Sequence, residues 1–295
     1  MAFVTGSAGD LGALRTALIN ACTANGWAIN GEVLSKGTAF LRLQIAGSFI
    51  NVLGGTGIDA GNLLTGAAPD TARIGAFPVS PLTFPLTYEI HIHTAPDEVY
   101  CIVNYNVTDY QWIAFGTSDV QGLLGTGMWF GATLGMSSST IIIISADDST
   151  SISLTNKASP ALFSHSWTQR NAAVHHGIDG LDWTISGDVD GVFMRWNRSI
   201  FPLYSRGPNA DGDTPLLPLR AYLRRTSFRS SLIVDCAHAR LVRIDNLEPR
   251  DVITLGPDQW RVYPWFRKSL IDPNGGTDIT HTGTTGWAIR FDAAP

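Results

Sequence analysis

Hydrophobic and polar residues alternate along most of the chain with the period of a β-strand. Residues 39–46, AFLRLQIA, place Leu41, Leu43 and Ile45 on one side and Arg42 and Gln44 on the other, because successive side chains of a strand point to opposite faces. Short segments rich in β-branched and aromatic residues, separated by turn residues, continue to residue 291. The pattern predicts a chain built mostly of strands.

Two pairs of segments have the pattern of β-hairpins. Residues 89–94, EIHIHT, precede residues 98–106, EVYCIVNYN, and the stretch between them, which contains Pro96, has the composition of a compact turn. In the second segment Val99 and Cys101 share one face, whereas Tyr100 and Ile102 share the other. A second hairpin is predicted from residues 251–255 and 259–265, DVITL and QWRVYPW, with its turn at residues 255–258.

One segment near the start has helical spacing instead. Residues 7–25 carry Leu11, Leu14, Leu18 and Cys22 on one helical face, with Ser7 as the N-cap and a glycine after the end. The predicted fold class is therefore α+β, predominantly antiparallel β with one N-terminal amphipathic helix.

Three regions are predicted from the distribution of strands and loops. Residues 1–120 are expected to form a domain of the helix and a β-sheet, and residues 219–295 a C-terminal β domain. Residues 121–218 are richer in Gly, Ser, Thr and Asp, which favours a loop-rich β insertion or a second β layer.

Charge is scarce and unevenly distributed. Charged residues make up 15% of the chain, and arginine outnumbers lysine 17 to 3. Residues 1–194 contain 15 acidic and 6 basic residues, whereas residues 195–295 contain 10 and 14. Arginine suits bidentate pairs at protein interfaces, although GC-rich codon usage explains the same excess. The net charge of −5 argues against a nucleic-acid binder, so pairing with acidic protein surfaces is favoured.

The three cysteines, Cys22, Cys101 and Cys236, are far apart and in no CxxC spacing. This pattern predicts neither a disulfide framework nor a zinc knuckle and favours folding in a reducing cytoplasm. No stretch has the length and apolar character of a membrane span, and the first residues do not resemble a secretion signal.

The His91/His93 pair is the best candidate for chemistry. Its spacing places two imidazoles on one face of a strand, but a catalytic zinc site needs a third protein ligand that no motif supplies. The two histidines are therefore interpreted as solvated polar positions of a strand. Phosphate-binding and esterase motifs are also missing from the sequence, so no catalytic residue, metal or cofactor is expected.

Three stretches together resemble a known family. They are MAFVTGSAGDLGALRTALINACTANGW at the start, DEVYCIVNYNVTDYQWIAFGTSD in the centre, and VRIDNLEPRDVITLGPDQWRVYPWFRKS with TGTTGWAIRFD at the end. The combination resembles virion structural proteins of tailed bacteriophages, in particular a baseplate or tail-tip family that includes the ripcord component of contractile tails. The resemblance implies a non-enzymatic part of the virion, made in the host cytoplasm and present in symmetric copies that contact other tail or baseplate subunits.

Basic and aromatic residues of the last third are the predicted contacts with those subunits: Arg224, Arg225, Arg229, Trp260, Trp265 and Arg267. The alternative is that Trp260 and Trp265 fill the C-terminal core, as most of the nine tryptophans are expected to do.

Two other functions remain open from the sequence. A receptor- or glycan-binding tail module would use exposed aromatic residues. A tail-associated hydrolase would need carboxylates or histidines that converge in a cleft.

Overall fold

The computed structural model describes residues 1–76, 81–135, 161–163, 170–186, 194–195, 214–225, 229–244, 246–268 and 285–292. These residues form one α-helix, one short 3-10 helix and 21 strands, and every strand pairing is antiparallel. The prediction of a predominantly antiparallel β protein with one N-terminal helix is confirmed. Strands are numbered β1 to β21 in chain order.

Seven strands form the central sheet. In spatial order they are β1 (Ala2–Ala8), β9 (Leu86–His93), β10 (Glu98–Tyr105), β11 (Asp109–Thr117), β12 (Met128–Ala132), β14 (Ala172–His175) and β15 (Trp183–Ile185). Strands β9 and β10 are the predicted first hairpin, in which His93 lies opposite Glu98. The 3-10 turn Ile178–Gly180 connects β14 to β15.

A second sheet, the N-terminal sheet, covers one face of the central sheet. Its strands in spatial order are β13 (Leu134–Gly135), β8 (Ala72–Gly75), β5 (Phe49–Gly55), β4 (Ala39–Ala46), β3 (Val33–Lys36) and β2 (Ala28–Asn30). A separate small hairpin pairs β6 (Gly57–Ile58) with β7 (Leu64–Thr65).

A third sheet, the C-terminal sheet, covers the other face. Its strands in spatial order are β16 (Met194–Arg195), β17 (Leu217–Arg224), β18 (Ser230–Arg243), β21 (Thr285–Arg290), β20 (Asp258–Pro264) and β19 (Val252–Leu255). Strands β19 and β20 are the predicted second hairpin, and Gly256 at φ 60° with Pro257 forms its two-residue turn.

Among the described residues, two large hydrophobic cores lie between the three layers. The first core joins the N-terminal sheet and the helix to one face of the central sheet and contains Val99 and Cys101. The second core joins the opposite face to the C-terminal sheet and contains Tyr100 and Ile102. The predicted alternation in residues 98–106 is therefore confirmed. A sheet covered on both faces can bury both sets of side chains of each strand.

The helix α1 (Leu11–Thr23) starts later than the sequence predicted. Ser7 lies in β1 and is not the cap; Asp10 is the N-cap, and its side chain accepts a hydrogen bond from the Ala13 N–H at 2.7 Å. Leu14, Leu18 and Cys22 are buried, as their spacing predicted.

The strands of the three predicted regions share sheets. Within residues 121–218, β12, β14 and β15 belong to the central sheet, β13 to the N-terminal sheet, and β16 and β17 to the C-terminal sheet. Cys22, Cys101 and Cys236 are buried free thiols.

Candidate functional site

A layer of polar side chains lies between the central and C-terminal sheets. We call it the buried polar layer; it consists of the buried Glu89, His91, His93, Glu98 and Tyr263 and the half-buried His238. Strand alternation explains its position: Ile90 and Ile92 point into the first core, so the polar residues of EIHIHT point toward the C-terminal sheet. The expectation that His91 and His93 are solvated is wrong, because the C-terminal sheet covers this face and leaves both buried.

Glu89 anchors one end of the buried polar layer. Its carboxylate accepts a hydrogen bond from the Tyr263 hydroxyl at 2.6 Å and one from Arg250, and Arg261 Nε lies 3.2 Å away. The Tyr263 oxygen also lies 2.7 Å from His91 Nε2. Since the Tyr263 proton is donated to Glu89, the network assigns the His91 proton to Nε2.

The three histidines form a row of aromatic rings. His91 and His93 are stacked at 6.5 Å between ring centroids, and His93 and His238 at 4.3 Å with an angle of 10° between the planes. Among the described residues, both ring nitrogens of His238 and Nε2 of His93 have no hydrogen-bond partner. This arrangement favours neutral imidazoles, because charged rings stacked in a low-dielectric layer would repel one another.

Burial lowers the pKa of each of these histidines. Desolvation lowers the pKa of His91 to about 3 and that of His93 to about 2, and nearby positive groups act in the same direction. The pKa of His238 falls to about 4, again first through burial and then through Arg290 and Arg240. All three rings are therefore neutral at pH 7.

Glu98 fastens the opposite end of the buried polar layer. Its oxygens accept hydrogen bonds from the N–H groups of Ala237 and His238 at 2.9 Å each, and from the Tyr100 hydroxyl at 2.8 Å. Burial raises the pKa of Glu98 to about 7, although these three hydrogen bonds oppose the rise. The side chain thereby joins β10 of the central sheet to β18 of the C-terminal sheet.

The geometry of the layer suits packing better than catalysis. Parallel stacked imidazoles direct their nitrogen lone pairs past one another and do not converge on one ion. In the part of the chain that the structure describes, no group of three His, Cys, Asp or Glu side chains could hold a metal ion. The layer therefore acts as a hydrogen-bonded and stacked contact between two sheets.

Two further histidines stabilise loops. His176 is buried; its Nε2 lies 2.7 Å from the Thr184 hydroxyl, and its Nδ1 accepts a hydrogen bond from the Ile178 N–H at 2.9 Å. The Nδ1 of His175 accepts from the Thr126 N–H at 2.8 Å. His165 and His281 lie outside the described residues.

The predicted contact residues Arg224, Arg225 and Arg229 lie together at the end of the β17–β18 hairpin. Arg225 forms a bidentate ion pair with Asp179, with one hydrogen bond of 2.6 Å, and its N–H donates to the Arg229 carbonyl. The Arg229 residue is exposed, and Arg224 is half-buried. Of these three arginines, only Arg229 is exposed, and the guanidinium of Arg225 is already paired within the chain.

The other three predicted contact residues lie deeper. Trp265 is fully buried, with its ring centroid 4.5 Å from that of Trp287. Trp260 is 4% exposed, and the Arg240 guanidinium lies 4.8 Å from its ring centroid. Both tryptophans thus occupy the C-terminal core, as in the alternative interpretation. Arg267 pairs with Asp109 of the central sheet at 2.5 Å.

The uneven charge along the sequence is matched in part within the described residues. Arginines of the C-terminal region pair with carboxylates of the central sheet and of their own sheet: Arg250 and Arg261 with Glu89, Arg267 with Asp109, Arg225 with Asp179, Arg220 with Asp235, and Arg290 with Asp258 and Asp292. The arginine excess therefore supports contacts between layers of this molecule before contacts with other subunits.

Sequence reasoning did not single out the exposed apolar residues. Among the described residues the most exposed are Leu124 at 86%, Val107 at 81% and Leu63 at 64% on loops, followed by Leu255 at 61% at the end of β19. For Leu255 the sequence does contain an indication of apolar exposure, since residues 251–255 contain three large apolar residues next to a turn. Exposed apolar groups of this kind are the more useful indication of a contact surface.

No protein-family model matches the chain, and no curated protein matches it. Within the described residues, the helix is too short and too polar to span a membrane.

Proposed function

We propose that this chain is a non-enzymatic structural component of a bacteriophage tail, located in the baseplate or tail tip, where it holds neighbouring tail subunits together. Its partners in this proposal are other tail and baseplate subunits, and it occurs in symmetric copies in the virion after synthesis in the host cytoplasm. Neither a nucleic acid nor a membrane is a proposed partner.

The observation that supports the proposal best is the placement of reactive side chains. The carboxylates and histidines that an enzyme would need in an open cleft instead join two sheets in the buried polar layer, where Glu89 and Glu98 each have several hydrogen-bond partners. Exposed loops and one sheet edge carry apolar residues instead. This combination favours a protein whose surface binds other proteins. The proposed location in a phage tail rests on the resemblance of the three sequence stretches quoted above.

The glycan-binding alternative has less support from the aromatic residues. Trp27, Trp112, Trp129, Trp260, Trp265 and Trp287 are all buried. Trp183 is partly buried and donates its indole N–H to the Gly66 carbonyl. Trp167 and Trp196 lie outside the described residues. Stacking on a sugar requires an exposed ring face, which these buried rings do not offer.

Cryo-electron microscopy of intact virions of the phage that encodes this chain tests the proposal. We expect symmetric copies of the three-layer fold at the baseplate or tail tip, in contact with tube or hub. A position only at the ends of tail fibres would favour receptor binding. Virions that lack the chain, shown by mass spectrometry of purified particles, would overturn the proposal.

A further inference from the structure

The outer strand of the C-terminal sheet has an open edge. Strand β19 pairs with β20 on one side, and no described strand pairs with its other side. Its four residues, VITL, include no charge and no proline, and its pairing with β20 shows no bulge. Soluble proteins commonly protect an edge strand with a charged residue, a proline or a bulge, because an open edge offers unpaired N–H and C=O groups to another strand. Strand β19 has none of these.

The turn determines which backbone groups point outward. A two-residue turn at Gly256 and Pro257 makes Leu255 and Asp258 its closing hydrogen-bonded pair. Hydrogen-bonded and non-hydrogen-bonded positions alternate along an antiparallel strand. The N–H and C=O groups of Val252 and Thr254 therefore point to the open side.

The apolar side chains of β19 continue a cluster on the outer face of the sheet. Ile253 packs against a buried cluster that includes Trp260 and Val262. Leu255 lies on the same face as Ile253, because the two are two residues apart, and it is 61% exposed. The apolar stripe thus extends to the edge of the sheet and ends there uncovered.

We propose that β19 pairs antiparallel with β19 of a second copy of this chain. A two-fold axis between two sheet edges is perpendicular to the sheet, so residues opposite one another must belong to the same face. Of the registers that satisfy this condition, two pair three residues of β19 with β19 of the second copy. One places Ile253 opposite itself and Leu255 opposite the Asp251 carboxylate of the second copy.

The other register is favoured by side-chain chemistry. It centres on Thr254, which lies opposite Thr254 of the second copy, and places each Leu255 opposite Ile253. Each exposed leucine then completes the apolar stripe of the other copy, and no charged side chain lies opposite a residue of β19. The contact is short, so the pairing is weak in dilute solution and strengthens at high local concentration.

Disulfide trapping with single cysteine variants of the full chain tests the pairing and its register. In the favoured register, Thr254→Cys places two thiols on adjacent strands at roughly 5.5 Å between Cα atoms, within the range of a disulfide. Val252→Cys is the matched control on the same face of the same strand, because its two copies would be separated by roughly 13 Å along the strands. The native cysteines are buried.

We expect mild oxidation to give a covalent dimer of Thr254→Cys at least fivefold faster than of Val252→Cys. Leu124→Cys, on an exposed loop, gives the rate at which dimers form through random collisions. Equal rates for all three variants would overturn the pairing, and no dimer from Thr254→Cys would overturn the pairing in the favoured register. Faster trapping of Val252→Cys would overturn the register. The result does not depend on the proposed tail function, which virion imaging tests separately.

Discussion

At the scale of single residues, Glu89 is the polar side chain with the most partners across the sheet interface. It is 5% exposed and meets Tyr263, Arg250 and Arg261. We expect Glu89→Gln to lower the free energy of unfolding by roughly 2–4 kcal/mol, because two partly buried guanidinium groups lose their counter-charge. Urea unfolding monitored by tryptophan fluorescence measures the loss.

The control for this variant is Asp258→Asn on an exposed pair. Asp258 and Arg290 are both about one third exposed, and Arg290 also pairs with Asp292. Since exposed ion pairs contribute little, this change is expected to cost less than about 1 kcal/mol. Equal losses in the two variants would contradict a special role for Glu89.

Gly116 in β11 tests how tightly the central sheet is packed. A Cβ at this position would overlap the Asp97 carbonyl oxygen and approach Trp129 Cζ2 to 3.0 Å. We expect Gly116→Ala to cost roughly 1–3 kcal/mol, since the obstructing backbone atom cannot rotate away. Gly9→Ala, where no atom lies within 4 Å of the added Cβ, should be nearly neutral, and urea unfolding of both variants measures the difference.

At the scale of elements, the N-cap of helix α1 can be tested by substitution of Asp10. Asp10→Ala removes the acceptor of the Ala13 N–H and is expected to lower stability by about 1 kcal/mol. Asp10→Asn keeps an acceptor oxygen, so its free energy of unfolding should stay within a few tenths of a kcal/mol of the value for the parent protein. Circular dichroism during urea unfolding measures both variants. An equal loss in the asparagine variant would show that charge, and not the cap, stabilises this end.

The elements that the sequence predicted are those with a strong local signal. Period-two alternation identified both hairpins, and helical spacing identified Leu14, Leu18 and Cys22 as buried. Strand β1 was missed because AFVTGSA is rich in small residues and leads directly into the helix. The cap was misplaced for the same reason, because Ser7 was assigned to a helix instead of a strand.

The buried polar layer could not be predicted because alternation does not reveal what covers a face. EIHIHT has the pattern of a strand with one solvated side, whereas β18, β20 and β21, more than 130 residues later in the chain, cover that side. The uneven distribution of charge was likewise counted correctly, but the arginines were predicted to pair with acidic surfaces of other proteins. Pairs such as Arg267 with Asp109 require a tertiary contact that no local pattern contains.

At the scale of the whole molecule, the contact between the central and C-terminal sheets should depend on pH. A fall in pH weakens the contribution of the three stacked histidines to stability and strengthens that of Glu98. The neighbouring charged groups are Arg261, Arg240, Arg290, Asp292 and the N-terminal amine around the rings, and Arg250 at Glu89. Most of these neighbours are positive, so they add to the effect of burial in keeping the rings neutral.

The signs follow from the direction of each shift. Each histidine has a folded-state pKa below its ordinary value of 6.5, so its contribution to stability is present above pH 6.5 and is lost as the pH falls toward the folded-state values of about 2 to 4. The pKa of Glu98 is raised to about 7, so its contribution is present below pH 4.5 and is lost as the pH rises through 7. Between pH 6.5 and 4.5 the three histidines outweigh the one carboxyl group.

We therefore expect the free energy of unfolding to fall between pH 6.5 and 4.5 by up to about 2.7 kcal/mol per pH unit from these four groups. His238→Phe keeps a ring against His93 but cannot take up a proton, so it should reduce this slope by about 1.4 kcal/mol per pH unit. Urea unfolding of both proteins at pH 7.5, 6.5, 5.5 and 4.5 measures the slopes. If the variant has the parent slope, His238 is already protonated in the folded protein, and the neutral stack is the wrong description of this contact. A smaller slope in the variant, with stability at pH 7.5 retained, would establish that His238 is neutral in the folded protein and takes up a proton on unfolding.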